Sequence, residues 1–306
     1  MATTRWKDTV TSDIDTALSL LMRKVENDNR SSGISRENWT SDKVFAENQN
    51  IILFGNEIIF NVIKFAYDKT TIYGADVNVI PQSGSIIVYS ANNSLNYIID
   101  KNSDAKLVLR KLLSYTGKNE IDSNKFEFDC DFFLWLINRV YYANNSIDVN
   151  DKNEFELELK SIKGFSGDTE DLQTKVSATG ESVMNIISTL SFFLESRKLK
   201  QINLALKYKD HDSIELILKS GTLEVDYKSY SGSFGDNGRD ELIAKLYLMS
   251  YMEIVPVLIQ EYRTDIENDL WNKERYVEFM NNVANTLKEK IEAKTTAINK
   301  GLPEIE

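Results

Sequence analysis

The chain has 306 residues, 42% hydrophobic and 10% aromatic, enough apolar surface for a buried core and too much for an intrinsically disordered chain. Its formal charge of -11 argues against direct contact with a nucleic-acid backbone, which needs a lysine and arginine surface to release counterions, and favours a protein partner with a basic surface. With one cysteine, Cys130, neither an internal disulfide nor a cysteine-based zinc site can be built.

The first residues carry charges where a signal peptide would be apolar, and no window approaches 18 uninterrupted apolar residues, so the expectation is a soluble cytoplasmic chain with no membrane span. Ser12 or Asp13 can cap a first helix with Ile14, Ala17, Leu18, Leu21 and Val25 on its apolar face, and the polar run Asn27 to Gly33 ends it. Trp39 to Asn50 gives no clear period. From Asn56, the residues Ile59, Phe60, Ile63 and Ala66 keep helical spacing. Val77/Val79 and Ile86/Val88 then flank Pro81-Gln82-Ser83-Gly84 as the turn of a hairpin. Asp104 to Tyr115 reads as a short helix with Leu107, Leu109, Leu112 and Leu113 apolar and Gly117 as its stop. Residues 1–117 are thus expected to form an N-terminal α/β lobe.

A central sheet domain is expected over 118–230, and it opens acidic: 13 acidic and 6 basic side chains lie between Lys118 and Leu172. Lys125 to Phe128 suggests a strand. Asp129 or Asp131 can cap a helix from Phe132 to Tyr142, buried nearly all round because Asn138 and Arg139 are its only polar residues. Phe155, Leu157 and Leu159 alternate with Glu154, Glu156, Glu158 and Lys160 as a half-buried strand, and Leu172 to Ala178 is another. The most legible stretch follows. Val183, Ile186, Ile187, Leu190 and Leu194 share one stripe of a helix from Glu181 to Arg197. Ile202/Leu204/Leu206/Tyr208, Ile214/Leu216/Leu218 and Leu223/Val225/Tyr227 then alternate with polar residues, joined by a Lys209 to Asp212 loop and a Ser220-Gly221 turn.

Ser229 to Arg239 is a Gly, Ser, Asp and Asn-rich loop, and 239–306 is a helical region. Its first helix, Asp240 to about Asn268, presents Leu242, Leu246, Met249 and Ile259 and should kink at Pro256; its second, Trp271 to Asn299, carries Tyr276, Phe279, Met280, Val283, Leu287 and Ile291 at spacings of three and four. The fold class expected is α+β: an antiparallel β-meander backed by a helix, with an N-terminal α/β lobe and a C-terminal long-helix arm.

Few residues offer chemistry. The lone histidine, His211, falls in the Lys209 to Asp212 loop and reads as a solvated turn residue. Gly232 to Gly238 precedes a helix but lacks Gly-Lys-Ser/Thr, so it reads as a linker rather than a phosphate loop. Asp129 and Asp131 should raise the Cys130 thiol pKa, the wrong direction for a nucleophile. Glu156, Glu158 and Lys160 share one strand face, with Asp148 or Asp151 upstream. Over about 13 residues this resembles the acidic residue and E-x-K of the PD-(D/E)xK nuclease superfamily, without its Pro-Asp pair. That resemblance implies a Mg2+ or Mn2+ ion held by the carboxylates and a lysine steadying the attacking water.

The leading expectation is instead a non-enzymatic interaction protein without cofactor, acting through its acidic surface and homo-oligomerisation. Trp271, Tyr276, Phe279, Met280, Val283 and Leu287 are the interaction residues it names. Three prolines among many Asn, Lys and Ile suggest AT-rich bacterial or phage coding, hence an adaptor or inhibitor in antiphage defence or phage counter-defence. The rival expectation is a metal-dependent nuclease or phosphodiesterase using Asp148, Asp151, Glu156, Glu158 and Lys160.

Overall fold

A computed structural model of the chain describes residues 2–27, 33–73, 76–117, 119–148, 156–169, 175–179 and 196–301. The fold is α+β, with antiparallel sheets and a long C-terminal helix. It divides into two compact units, the first built from Met1–Phe126, Gly221–Val225 and Asp236–Glu253, the second from Glu127–Ser220, Asp226–Gly235 and Ile254–Glu306.

In the first unit, β1 (Thr4–Asp8), β2 (Ile34–Lys43), β3 (Gln49–Leu53), β4 (Asn56–Tyr73), β5 (Asp76–Ala91), β6 (Ser94–Ile99) and β7 (Ile121–Ser123) form one sheet in the order β2-β4-β5-β6-β1-β7, with β3 also paired to β4. The helices α1 (Ile14–Leu21) and α2 (Ala105–Leu112) bury their apolar stripes in a core with Trp6, Ile63, Phe65, Ile86 and Tyr97. Asp13 caps α1 by accepting the Thr16 N–H at 2.7 Å. Helix α2 buries Val108, Leu109 and Leu112 but leaves Leu107 exposed, and the turn ends at Ser114 with φ +58°, before Gly117. A buried carboxylate ties β1 to the rest. Asp8 accepts the Tyr97 hydroxyl at 2.6 Å, the Tyr115 hydroxyl at 2.9 Å and the amides of Val10 and Thr11. Burial, then the hydrogen bond to Asp8, push both phenols well above their ordinary pKa.

Two expectations fail here for one reason. The helix read from Ile59 to Ala66 is part of the 18-residue strand β4, and the hairpin read at Pro81 to Gly84 is part of the continuous strand β5. Ile58, Phe60 and Val62 are buried on one face, and Ile63, Phe65 and Tyr67 are buried as well, so period two is erased and a helical spacing is mimicked. Pro81 is tolerated because β6 pairs β5 only from Ile86 onward, which among the described residues leaves that stretch an edge. Gly84 sits opposite Phe65, whose ring packs on it; a Cβ there would lie 2.6 Å from Phe65 Cζ.

The second unit holds β8 (Ser146–Asp148), β9 (Glu156–Thr169), β10 (Lys175–Thr179), β11 (Ser196–Tyr208) and β12 (His211–Lys219), in the order β10-β9-β11-β12 with β8 also on β9. The alternation expected for β11 and β12 is present: Ile202, Leu204, Leu206, Tyr208, Ile214, Leu216 and Leu218 are all buried. After Gly221, at φ +73°, comes β13 (Thr222–Val225), grouped with the first unit, where Thr3 and Leu223 exchange backbone hydrogen bonds. The backing helix expected over 181–197 falls outside the described residues except at Ser196 and Arg197, which are strand. What packs on β9 and β11 is α3 (Cys130–Tyr141), capped by Asp129 through the Phe132 N–H at 2.8 Å. Lys125 to Phe128, expected as strand, has no regular structure.

Further along, α4 (Arg239–Met249) runs through a π-helical turn, Ser250–Ile254, into α5 (Val255–Glu267), where Pro256 occupies the first turn. The chain finishes on α6 (Lys273–Gly301). By length and composition the run Arg239–Glu267 could cross a membrane, with mean hydropathy 1.7, but 61% of that window is buried in the fold, as in a core helix. Arg139 on α3 is buried beside α5. Its Nη1 donates to Glu261 Oε1 at 2.8 Å and Asp265 Oδ2 at 3.1 Å, its Nε to the Asn144 carbonyl and its Nη2 to the Ser146 carbonyl. Trp135 Nε1 donates to the same Asp265 oxygen at 2.7 Å.

Two outcomes follow from these buried charges. Arg139→Ala strands the Asp265 carboxylate and is expected to cost about 3–5 kcal/mol, read from the urea midpoint. In the first unit, Asp100 Oδ2 accepts from the Ser85 amide while its buried Oδ1 has no hydrogen-bond partner among the described residues, and burial raises its carboxyl pKa. A raised folded pKa means tighter proton binding in the fold, so this contribution to stability is full below the unfolded pKa and fades as pH rises through the folded one. Thermal denaturation of Asp100→Asn should show a higher Tm than the parent near pH 7 and no gain near about pH 3, below the ordinary carboxylate range.

Candidate functional site

Most of the residues the sequence singled out fall in three places of the second unit. The first is the start of β9. Register sets Asp148 opposite Glu156 and Ser146 opposite Glu158, while β11 sets Lys207 on the other side of Glu158. Leu157 and Leu159 are buried in the core. Lys160 Nζ donates to the Asp212 carbonyl at 2.7 Å, and Lys207 pairs with the Asp212 carboxylate at 3.1 Å. The lysine of the E-x-K string is therefore engaged with the β12 backbone. Asp151 lies outside the described residues. Among those described, no three His, Cys, Asp or Glu side chains converge in a way that could hold a metal ion.

The second place is His211, which the structure removes from solvent. A register shift between Leu206 and Tyr208 lets Tyr208 pair with His211, so the turn is Lys209-Asp210 alone, with Lys209 at φ +52°, and His211 begins β12 only 3% exposed. The segment Tyr230 to Gly235 closes over it. Ser213 and Ser231 form a backbone bridge, the Phe234 ring lies 4.5 Å from the imidazole, and Tyr230 Oη sits 2.7 Å from His211 Nδ1. Tyr230 Oη also accepts the Phe234 N–H at 2.9 Å, while Nε2 faces Asp210 Oδ1 at 3.5 Å.

This arrangement brings an imidazole, a phenol and a carboxylate together, but their chemistry is that of a fastening. The hydrogen bond from Ser233 and the nearby His211 hold the Asp210 carboxyl below its usual range, whereas burial raises the Tyr230 phenol, so the hydroxyl is not activated for attack. Two amides of the glycine-rich loop are likewise committed: that of Phe234 goes to Tyr230, and that of Gly235 goes to the Gly232 carbonyl at 3.0 Å. A helix N-terminal phosphate site would need such amides to point at a ligand.

The third place is the interaction stripe. Trp271, Phe279 and Val283 are buried; Tyr276, Met280 and Leu287 are half-buried. Phe279 meets Tyr141 at the end of α3 and Tyr142 just past it edge-on, at 5.5 and 6.4 Å, and Trp271 Nε1 donates to Asp131 Oδ2. The stripe is buried at Phe279 and Val283, whereas further along Ile291 and Ile298 are 48% and 52% exposed. Cys130, at the head of α3, accepts the Leu199 amide, and its thiol pKa is raised first by burial and then by Asp131 and Asp129.

Sequence reasoning missed two features that matter. The bulge that buries His211 leaves no mark in composition, and the β3–β4 hairpin displays Ile52 and Phe54 in the stretch 51–55, for which the sequence offered no reading. The chain matches no known protein family and no curated protein.

Gly232 is the most sensitive point of the fastening. At φ +154° a Cβ would lie 2.7 Å from His211 Cα. Gly232→Ala is expected to lower stability by roughly 1–3 kcal/mol, the scale of a residue forced into a glycine-only region, measured by urea denaturation.

Proposed function

We propose that the chain is a non-enzymatic interaction protein that self-associates and turns its acidic surface toward a protein partner with a basic one. The observation that carries this reading is the display of large apolar side chains on a regular element, Ile52 and Phe54 on the β3–β4 hairpin. Reactive side chains, by contrast, are spent within the fold: His211 on Tyr230, Lys160 on β12, Arg139 on two carboxylates. An excess of 47 acidic over 36 basic residues supports a basic partner and disfavours nucleic acid. An adaptor or inhibitor in bacterial antiphage defence or phage counter-defence is the setting in which such a surface would act.

A second reading, a metal-dependent nuclease or phosphodiesterase, has one observation in its favour, the register that sets Asp148 opposite Glu156 and two residues from Glu158. Light scattering after size exclusion at tens of micromolar protein should give a mass above the 35.1 kDa monomer. A monomer overturns the first reading. Magnesium- or manganese-dependent DNA or RNA cleavage that is lost in Glu158→Ala with Lys160→Ala would establish the second.

A further inference from the structure

Strain marks one exposed place in the first unit. The turn joining β3 to β4 has φ +45° at Phe54 and φ +72° at Gly55. A two-residue turn with both angles positive favours Asn or Asp followed by Gly, and a bulky aromatic in the first position is an outlier. Such strain persists only where surrounding structure imposes it and is a pointer to function. Here the surrounding structure is visible. Glu253, buried in the π-helical turn, accepts the Phe54 N–H at 2.5 Å and fixes the tip. Phe54 is nonetheless 49% exposed, and Ile52 is 71% and Ile59 40% exposed.

The backbone beside this tip is an open edge. The closing pair Leu53↔Asn56 directs Leu53 toward β4, and by alternation Ile51 also faces β4 while Asn50 and Ile52 turn their N–H and C=O outward. Among the described residues β3 pairs with β4 alone. Cross-strand partners share a face, so Asn50, Ile52, Glu57 and Ile59 lie on one side of the hairpin.

The geometry points to this edge as the contact between two copies of the chain, which deepens the self-association proposed above and rests on it. Charge decides the occupant. On a molecule of net charge -11 most pairs of like surfaces repel, but Gln49 to Asn56 carries no charge, and Glu57, the hairpin's only one, accepts a hydrogen bond from Asn50 Nδ2. A basic partner would find little to hold here. Antiparallel pairing about Ile51 sets Asn50 of one copy opposite Ile52 of the other and brings the two Ile52 side chains together as diagonal neighbours. The other exposed apolar places fit a second copy less well. The outer edge of β5 is interrupted by Pro81, which has no N–H to give, and Ile291 and Ile298 stand among Lys288, Glu289, Glu292 and Lys294.

The test is sedimentation equilibrium of the full chain, the Ile52→Lys variant and the Ile291→Glu/Ile298→Glu variant, with circular dichroism to confirm folding. Ile52→Lys, which puts a lysine on the edge, should weaken association at least about tenfold, while the α6 variant should leave it unchanged. Phe54→Gly provides an independent reading: it should associate more weakly yet melt at a higher temperature than the parent. A monomeric parent overturns the self-association reading and this inference together. Association lost in the α6 variant but kept in Ile52→Lys overturns the hairpin contact alone.

Discussion

A guanidinium taken out of water must be met by carboxylates, and in the second unit that requirement fixes how α3 and α5 lie on one another. Asp131, Trp135 and Arg139 follow at intervals of four along α3 and so form one stripe. Each reaches α5: Asp131 accepts the Tyr262 hydroxyl at 2.5 Å, Trp135 donates to Asp265, and Arg139 donates to Asp265 and Glu261. Between these bonds Trp135 stacks on Phe132 and Tyr262 meets the same ring edge-on. Helix α3 therefore has two buried sides of different character, an apolar one toward β9 and β11 and a hydrogen-bonded one toward α5. Because Trp271 also donates to Asp131, the start of α6 is positioned by the same stripe.

The first unit solves a similar problem with Asp8, whose carboxylate collects two phenols and two amides at the end of β1. In both units a single buried charge is satisfied from several elements at once. Such groups give a fold geometric specificity even where their net stabilisation is modest.

How much could be read in advance depended on burial. Where one face of an element is wet, the period survives, and α1 with its Asp13 cap, α2 and the strands β11 and β12 were all legible; α3, buried on two sides, was legible from its nearly unbroken apolar run. Where both faces are covered it disappears, and β4 read as a helix. Pro81 and Gly84 looked like a turn because their roles, an unpaired edge and a seat for the Phe65 ring, depend on neighbours far away in the chain. The same holds for His211. A residue between two polar neighbours, Asp210 and Asp212, has every local sign of exposure, and only the register shift and the Tyr230 to Gly235 segment bury it. The polar partners of Arg139 were equally invisible, since Glu261 and Asp265 lie more than a hundred residues away and look like solvated helix positions.

The composition of the first unit has a bearing on synthesis. Strand β1 lies inside its sheet, between β6 and β7, yet Thr3 just before it bonds to Leu223 and to the hydroxyl of Tyr251. Arg5 reaches the carbonyl of Tyr251 as well. A ribosome releases the amino-terminal sheet long before it makes those residues, so the nascent sheet must wait, incompletely covered, while the second unit's chain from Glu127 to Ser220 is still being threaded out. Vectorial folding in the usual order, first unit finished before the next begins, is closed to this topology.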